Sequence, residues 1–299
     1  MPIEPFNELM ERAKRGRYAV GYFESWNLES LYAVADAAEA TRSPVILGFS
    51  GIYLPHPDRV VHERLEDLAC LGRSVAEGMS VPTCLLFNES PAMDWVRNAI
   101  DLGFQAVMFT DEARSPAEQT RCVADVVRRA HAKGVAVEAE LTPLPGAAGQ
   151  YVTQNAATHL TDVRQAVEFV QATGVDALAV DIGQEHVHGR YEVRLDLEHL
   201  GRLAEALSLP MVLHGASSVA RQDISAAARK GIQKINVGSI LKRTFFEAVK
   251  SVCEETPADY SPYDVIGSGL VDDVLTAGRQ AMRTVVEDFM ELFGSAAQA

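Results

Sequence analysis

The sequence predicts an α/β chain, a (β/α)8 barrel with additional C-terminal helices, and three observations predict it. Eight short apolar runs each feed an amphipathic helical stretch. The runs end in turn at residues able to do chemistry: Glu24, Ser50, Asn88-Glu89, Thr110-Asp111, Glu138 and Glu140, Asp181 to His188, His214 and Asn236. Glycines stand just before several of the runs, where a helix can close in a left-handed cap. Barrels of this class carry their functional residues at the carboxyl ends of the strands, so the pattern points to an enzyme.

In chain order the strands are expected at Tyr18 to Phe23, Pro44 to Phe49, Pro82 to Phe87, Gln105 to Phe109, Val135 to Leu141, Asp176 to Ile182, Pro210 to Leu213 and Ile232 to Val237. All are short apolar runs, as parallel strands buried on both faces require. Helical stripes lie between them: Val123, Val126, Val127 and Ala130 within Ser115 to Lys133, and Val163, Ala166, Val167 and Val170 within Asp162 to Thr173. Gly103, Gly134, Gly174 and Gly231 each precede a strand, and this helix, glycine, strand punctuation favours α/β over all-α. Two connections are long, Ser50 to Glu63 and Thr142 to Thr161. Loops of that length in a compact enzyme serve as lids or binding loops, or else as linkers. Beyond the eighth strand, Ser239 to Val252 and Val271 to Phe293 read as helices, the last a candidate dimer contact. The expected organisation is one barrel domain over residues 1–299 with a C-terminal helical extension from about 253 to 299.

Composition bounds the function. With 299 residues, 47% hydrophobic and 23% charged, the chain can bury one large core. A formal net charge of −14 argues against a nucleic-acid groove, which needs basic residues clustered on one face. A phosphorylated substrate stays open, because a local nest of backbone N–H groups binds anions whatever the global sign. Cys70, Cys84, Cys122 and Cys253 lie far apart with no CxxC pair and read as buried thiols of a reducing cytoplasm. Met1 to Lys14 lacks the apolar stretch of a secretory signal, and no segment reaches the ~18 uninterrupted apolar residues of a membrane span.

Three local signals are sharpest. Past the sixth strand, Asp181 to Tyr191 carries two imidazoles, His186 and His188, two carboxylates and a turn at Gly189. The seventh strand ends on His214, followed by the small-residue turn Gly215 to Ser218. The eighth, Lys234-Ile-Asn236-Val-Gly-Ser239, leads directly into a helix start. Small-residue turns and a helix N-terminus on strands seven and eight are where such barrels often hold phosphate. Histidines ending strands six and seven could share a metal ion, since neutral imidazole is a common ligand for divalent metals. His56, His62, His131, His159 and His199 read as surface or packing residues, and Trp26 as a substrate wall or rim packing.

Val137-Glu-Ala-Glu-Leu141, Thr173-Gly-Val-Asp-Ala-Leu-Ala-Val180, His188-Gly-Arg-Tyr191, Val212-Leu-His-Gly215 with Ser217, Gly231-Ile-Gln-Lys-Ile-Asn-Val237 and Glu291-Leu-Phe-Gly-Ser295 follow one another in an order and spacing that resemble the class II, zinc-dependent fructose- and tagatose-bisphosphate aldolase family. The resemblance spans nearly the whole chain. It implies a cytoplasmic homodimer or higher homo-oligomer in which a divalent metal polarises a ketose phosphate and stabilises the enediolate of carbon–carbon cleavage. Residue by residue, His188 and His214 match two of the family's zinc ligands, and His186 is the alternative to His188. Gly189, Gly215 and Ser217 match its phosphate and monovalent-cation turns, and Asn236 and Ser239 match residues that contact substrate and phosphate.

The chain departs from the family at identifiable positions. Ala216 and Ser218 replace glycines of an HGGSG turn, and an added side chain there crowds a bound anion or demands other backbone angles. After strand three the family reads His-Leu-Asp-His, whereas this chain reads Leu86-Phe87-Asn88-Glu89. Asn88 therefore stands at the catalytic position without being able to exchange a proton. Glu89 can still bind metal, giving a Glu89, His188 and His214 set that suits Zn2+ and also Mn2+ or Fe2+. Phe109-Thr110-Asp111 and Glu24-Ser25-Trp26-Asn27 depart from the family as well. Of the fifth strand's two glutamates, expected on alternate sides, Glu140 is the base candidate, and Glu138 is a candidate partner for a buried Arg or Lys. The readings left open are an aldolase with a rebuilt acid/base set, a same-family isomerase or epimerase, and a non-catalytic homologue.

Overall fold

The computed structural model describes residues 3–141, 144, 160–185 and 191–299. Helix α1 (Phe6–Gly16) precedes β1 (Val20–Phe23), followed by α2 (Leu28–Thr41), β2 (Val45–Ser50), α3 (Leu65–Gly78), β3 (Thr83–Ser90), α4 (Met93–Asp101) and β4 (Ala106–Phe109). The second half runs α5 (Pro116–His131), β5 (Ala136–Glu140), α6 (Val163–Thr173), β6 (Ala177–Ala179), α7 (Leu197–Ala206), β7 (Met211–Leu213), α8 (Arg221–Lys230) and β8 (Ile232–Val237). Three helices close the chain, α9 (Ser239–Glu255), the short α10 (Pro262–Val265) and α11 (Val274–Phe293). The eight strands are parallel and form a closed barrel in sequence order, β1 pairing with both β2 and β8.

Strand periodicity explains where the site falls. Because successive side chains point to opposite faces, Ala19, Phe23, Leu47, Phe49, Leu85 and Phe87 pack outward against the helices. The intervening Val20, Tyr22, Ile46, Cys84, Leu86, Ala136, Ala177 and Val212 fill the barrel interior. Phe6, Leu9, Met10 and Ala13 of α1 close the amino end of that interior. Continuing the inward series toward the carboxyl end brings in Asn88, Glu138, Glu140, His214, Lys234 and Asn236, all buried. Gly48 lets β2 approach β3, since a Cβ there would lie 2.0 Å from the Leu86 carbonyl oxygen.

Helix punctuation follows the sequence. Ser115 and Glu118 form a reciprocal capping box at the start of α5, and Gly174 closes α6 with φ 71°. Strand ends moved in both directions. β1 starts at Val20 because Tyr18 N–H still bonds to Ala13 O and Ala19 N–H to Phe293 O. β6 shortens to Ala177–Ala179, and β3 extends through Asn88 and Glu89 to Ser90 with a register shift against β4. The C-terminal helices wrap the barrel: Phe293 stacks on Phe23 with centroids 6.0 Å apart, and Ser43 and Ser295 hydroxyls meet at 2.7 Å. The apolar stripe of α11, with Met282, Val286, Phe289, Met290 and Phe293, is buried within this chain, which leaves the other faces of the helix for the dimer contact the sequence suggested. Of the cysteines read as buried thiols, Cys84 is buried, Cys122 is partly exposed, and Cys70 and Cys253 are exposed. The loop expected at Thr142 to Thr161 falls almost wholly outside the described residues, as do His159, His186, His188 and Gly189.

Candidate active site

At the carboxyl mouth of the barrel, His214 is the hub. Its Nε2 meets Glu138 Oε1 at 2.8 Å and its Nδ1 meets Glu89 Oε1 at 3.1 Å. Behind it, Lys234 Nζ forms an ion pair with Glu138 Oε2 at 2.8 Å, donates to Asn236 Oδ1 at 2.5 Å and sits 5.1 Å above the Tyr22 ring. Asn88 Nδ2–H donates to Glu89 Oε2 at 2.6 Å. Beside these, the Thr110 hydroxyl donates to Glu140 Oε1. Glu89 is held at φ 49° where β3 shifts register, a left-handed conformation uncommon outside glycine that turns its carboxylate toward His214.

Glu138 and Glu140 do not alternate. Residues two apart in a strand share a face, and both carboxylates point into the barrel, Glu138 onto His214 and Lys234 and Glu140 onto Thr110. Their electrostatics nevertheless diverge. Burial pushes Glu138 up, but the Lys234 ammonium and the charge and hydrogen bond of His214 outweigh it and hold the carboxyl below its ordinary value. Among the described residues Glu140 has no ammonium partner, and burial, reinforced by Glu89, raises it to about 7 despite His214 and Thr110. Burial opposes the His214 cation, yet the Glu89 charge and the hydrogen bonds it donates to both carboxylates carry it to about 10. Burial lowers Lys234, with Glu138 acting against the fall.

Of the residues expected to hold phosphate, Gly189 lies outside the described residues, while the turn after Gly215 meets the start of α9, though with company. Gly215 at φ 68° starts a tight turn over Ala216–Ser218, and Ile240 N–H at the start of α9 donates to Ser217 Oγ at 3.4 Å. The Glu24 carboxylate also stands at that helix start: it pairs with Lys242 Nζ at 2.5 Å, and a Cβ on Gly238 would lie 2.5 Å from Glu24 Oε2. Trp26 packs edge-on against Phe245 at 5.6 Å, with Lys242 5.8 Å from its ring centroid. His131 pairs with Asp176 and His199 bonds to Thr161 O, as packing and surface roles require. The sequence reading gave no role to Lys234, Tyr22 or the Glu24 and Lys242 pair. The available signal for Lys234 was a lysine inside a strand buried on both faces, which has to find a counter-charge.

Among the described residues no three His, Cys, Asp or Glu side chains form a metal-holding group. The part that is described fits one. A histidine that gives one ring N–H to a buried carboxylate has its tautomer fixed, leaving the other nitrogen to ligate once it has shed its proton; Glu138 takes one nitrogen of His214, and Glu89, itself a carboxylate able to ligate, faces the other.

The closed barrel finds its counterparts among known proteins. The family model for class II fructose-bisphosphate aldolase matches residues 4–298, and the chain belongs to that family. It is 32% identical to the fructose-bisphosphate aldolase of Geobacillus stearothermophilus over 306 residues, covering 100% of this chain and 99% of that one. Identity to the fructose-bisphosphate aldolase of Giardia intestinalis is 30% over 324 residues, covering 100% and 95%. The crystal structure of the YdjI aldolase from Escherichia coli superposes with a TM-score of 0.80 at 30% identity, over 99% of both chains.

Proposed function

We propose that this protein is a divalent-metal-dependent carbon–carbon lyase that cleaves a ketose phosphate or a related sugar, with an acid/base set rebuilt around Glu140. The observation that carries the reading is His214 fixed by Glu138 on one nitrogen and faced by Glu89 on the other. Glu89, His188 and His214 are the residues that would hold the metal, Zn2+ foremost, with Mn2+ and Fe2+ also suited to two imidazoles and a carboxylate. When bound there it would supply Lewis-acid stabilisation of negative charge on the ketose oxygens. The remaining chemistry belongs to the chain. Glu140, titrating near the operating pH, takes the proton of the substrate hydroxyl as the carbon–carbon bond breaks, the electron pair stays with the carbonyl half, and the same proton returns to that carbon. Among the described residues Asn88 Oδ1 and Asn236 Nδ2 are buried without a hydrogen-bond partner, an acceptor and a donor placed for sugar hydroxyls. Gly189, Gly215, Ser217 and Ser239 provide the turns for a phosphate or a monovalent cation.

The family further suggests a cytoplasmic homo-oligomer. Among the described residues no helix is long and apolar enough to cross a membrane. The reading is tested by two substitutions. Glu140→Gln should lower turnover by ~10²-fold or more at unchanged metal content. His214→Ala should lose the metal by elemental analysis. Full turnover in the first variant, or full metal retention in the second, would reject the corresponding role.

A further inference from the structure

We propose that the amino end of the barrel, opposite the candidate active site, carries a separate binding site for a small phosphate ester. A cavity of about 230 Å³ opens there between the ends of α1, α7 and α8 and the first residues of β7 and β8. Lys14 and Arg17 line it from α1 and its cap, Arg229 and Lys230 from the end of α8, and Leu207 and Met211 give it an apolar wall. No acidic side chain is among its described lining residues.

This is unusual in a chain of net charge −14, whose arginines are largely engaged with carboxylates, as at Arg12, Arg194, Arg221 and Arg279. Arg17, Arg229 and Lys230 have no ion-pair partner among the described residues, and Lys14 donates only to the Ser208 carbonyl at 3.0 Å. Basic residues at helix carboxyl ends offset the helix dipole, and three such ends meet here. Each end carries roughly half a negative charge, so the three together balance fewer than two of the four cations. The surplus faces the cavity.

The shape selects the ligand. Two guanidinium forks and two ammonium groups suit a phosphate dianion better than a single carboxylate. The volume lies below the ~300 Å³ at which drug-sized ligand pockets begin, so a sugar or polyol monophosphate fits and a dinucleotide does not. The apolar wall takes the carbon skeleton.

The site is independent of the proposed lyase chemistry, and its test reads it locally. Met211 lines the cavity and is buried, so full-length protein labelled with 13C-methyl methionine reports binding there, with the resonance assigned through Met211→Leu. Titration with ribose 5-phosphate should shift the Met211 methyl saturably, while ribose at matched ionic strength should not. The triple variant Arg17→Ala, Arg229→Ala, Lys230→Ala should raise the midpoint about tenfold or more, with an unchanged circular dichroism spectrum. These three side chains are exposed, so folding is not at stake. A Met211 resonance that stays still, that responds equally to ribose, or that titrates alike in the triple variant overturns the proposal.

Discussion

Glu140 and His214 are both buried at the same mouth and answer burial in opposite ways. Among the described residues Glu140 has no cation bonded to it, so desolvation wins and its carboxyl rises to about 7. His214 has a carboxylate on each nitrogen, so charge wins and its imidazolium persists to about 10. The first shift sets a kinetic expectation. A carboxyl acts as a base only when ionised, so kcat/KM should climb with pH through about 7 and then level, and Glu140→Gln should remove that limb from the pH–rate profile. A wild-type profile flat across this range would exclude Glu140 as the base. The two shifts together set a stability expectation. Both folded-state values lie above those of an unfolded chain, so each group's contribution is complete below its unfolded value and is lost as pH rises through its folded one. For Glu140 that window runs from about 4.3 to about 7, and for His214 from about 6.5 to about 10. Metal-free protein should therefore show a lower urea midpoint at alkaline than at mildly acidic pH. An equal or higher midpoint on the alkaline side would contradict the His214 clamp.

At the scale of elements, β8 and the start of α9 show what a sequence can and cannot reveal. The barrel was legible because the strands are short, largely apolar runs and the helices between them carry apolar stripes, so short-range patterning encodes both element type and order. Strand ends were less legible, since they depend on neighbours: β3 runs on through Asn88 and Glu89 because β2 pairs with it as far as Asn88. Individual residues such as His214 and Glu140 stood out by chemistry and position. Their partnerships did not, because the contact of Glu138 with His214 spans 76 residues of chain and that of Glu89 with His214 spans 125. Lys234 illustrates the cost of such a partnership. Lys234→Met leaves Glu138 charged and buried without its ammonium, and the loss in unfolding free energy should be about 3–5 kcal/mol by urea denaturation. A loss under about 1 kcal/mol would mean that the pair is not holding the interior together. At the α9 start, Glu24 stands where the proposed function puts an anionic substrate group, paired with Lys242. Glu24→Gln should let inorganic phosphate compete with substrate several-fold more strongly. Unchanged inhibition constants would place the anion elsewhere.

At the scale of the molecule, the buried stripe of α11 moves attention to another surface. Phe246, Tyr260, Tyr263, Ile266, Leu270 and Val271 are exposed along α9 and the connection to α11. Exposed apolar side chains in one stretch of chain are candidates for an interaction face, and a second copy of the chain is the occupant the proposed homo-oligomer would bring. Tyr263→Glu combined with Val271→Glu should lower the mass found by size-exclusion chromatography with light scattering. A wild-type monomer, or an oligomer indifferent to both changes, would refute that assignment. The central claim is carbon–carbon cleavage by a metal-loaded barrel, and the most direct measurement follows the carbon skeleton. Metal-reconstituted protein is incubated with a panel of 13C-labelled ketose phosphates and free ketoses and the products are read by NMR. The account predicts two shorter carbonyl compounds from at least one member of the panel, abolished in His214→Ala and strongly slowed in Glu140→Gln. An isomer or epimer with the skeleton intact, or no conversion of any member by metal-reconstituted protein, would contradict it.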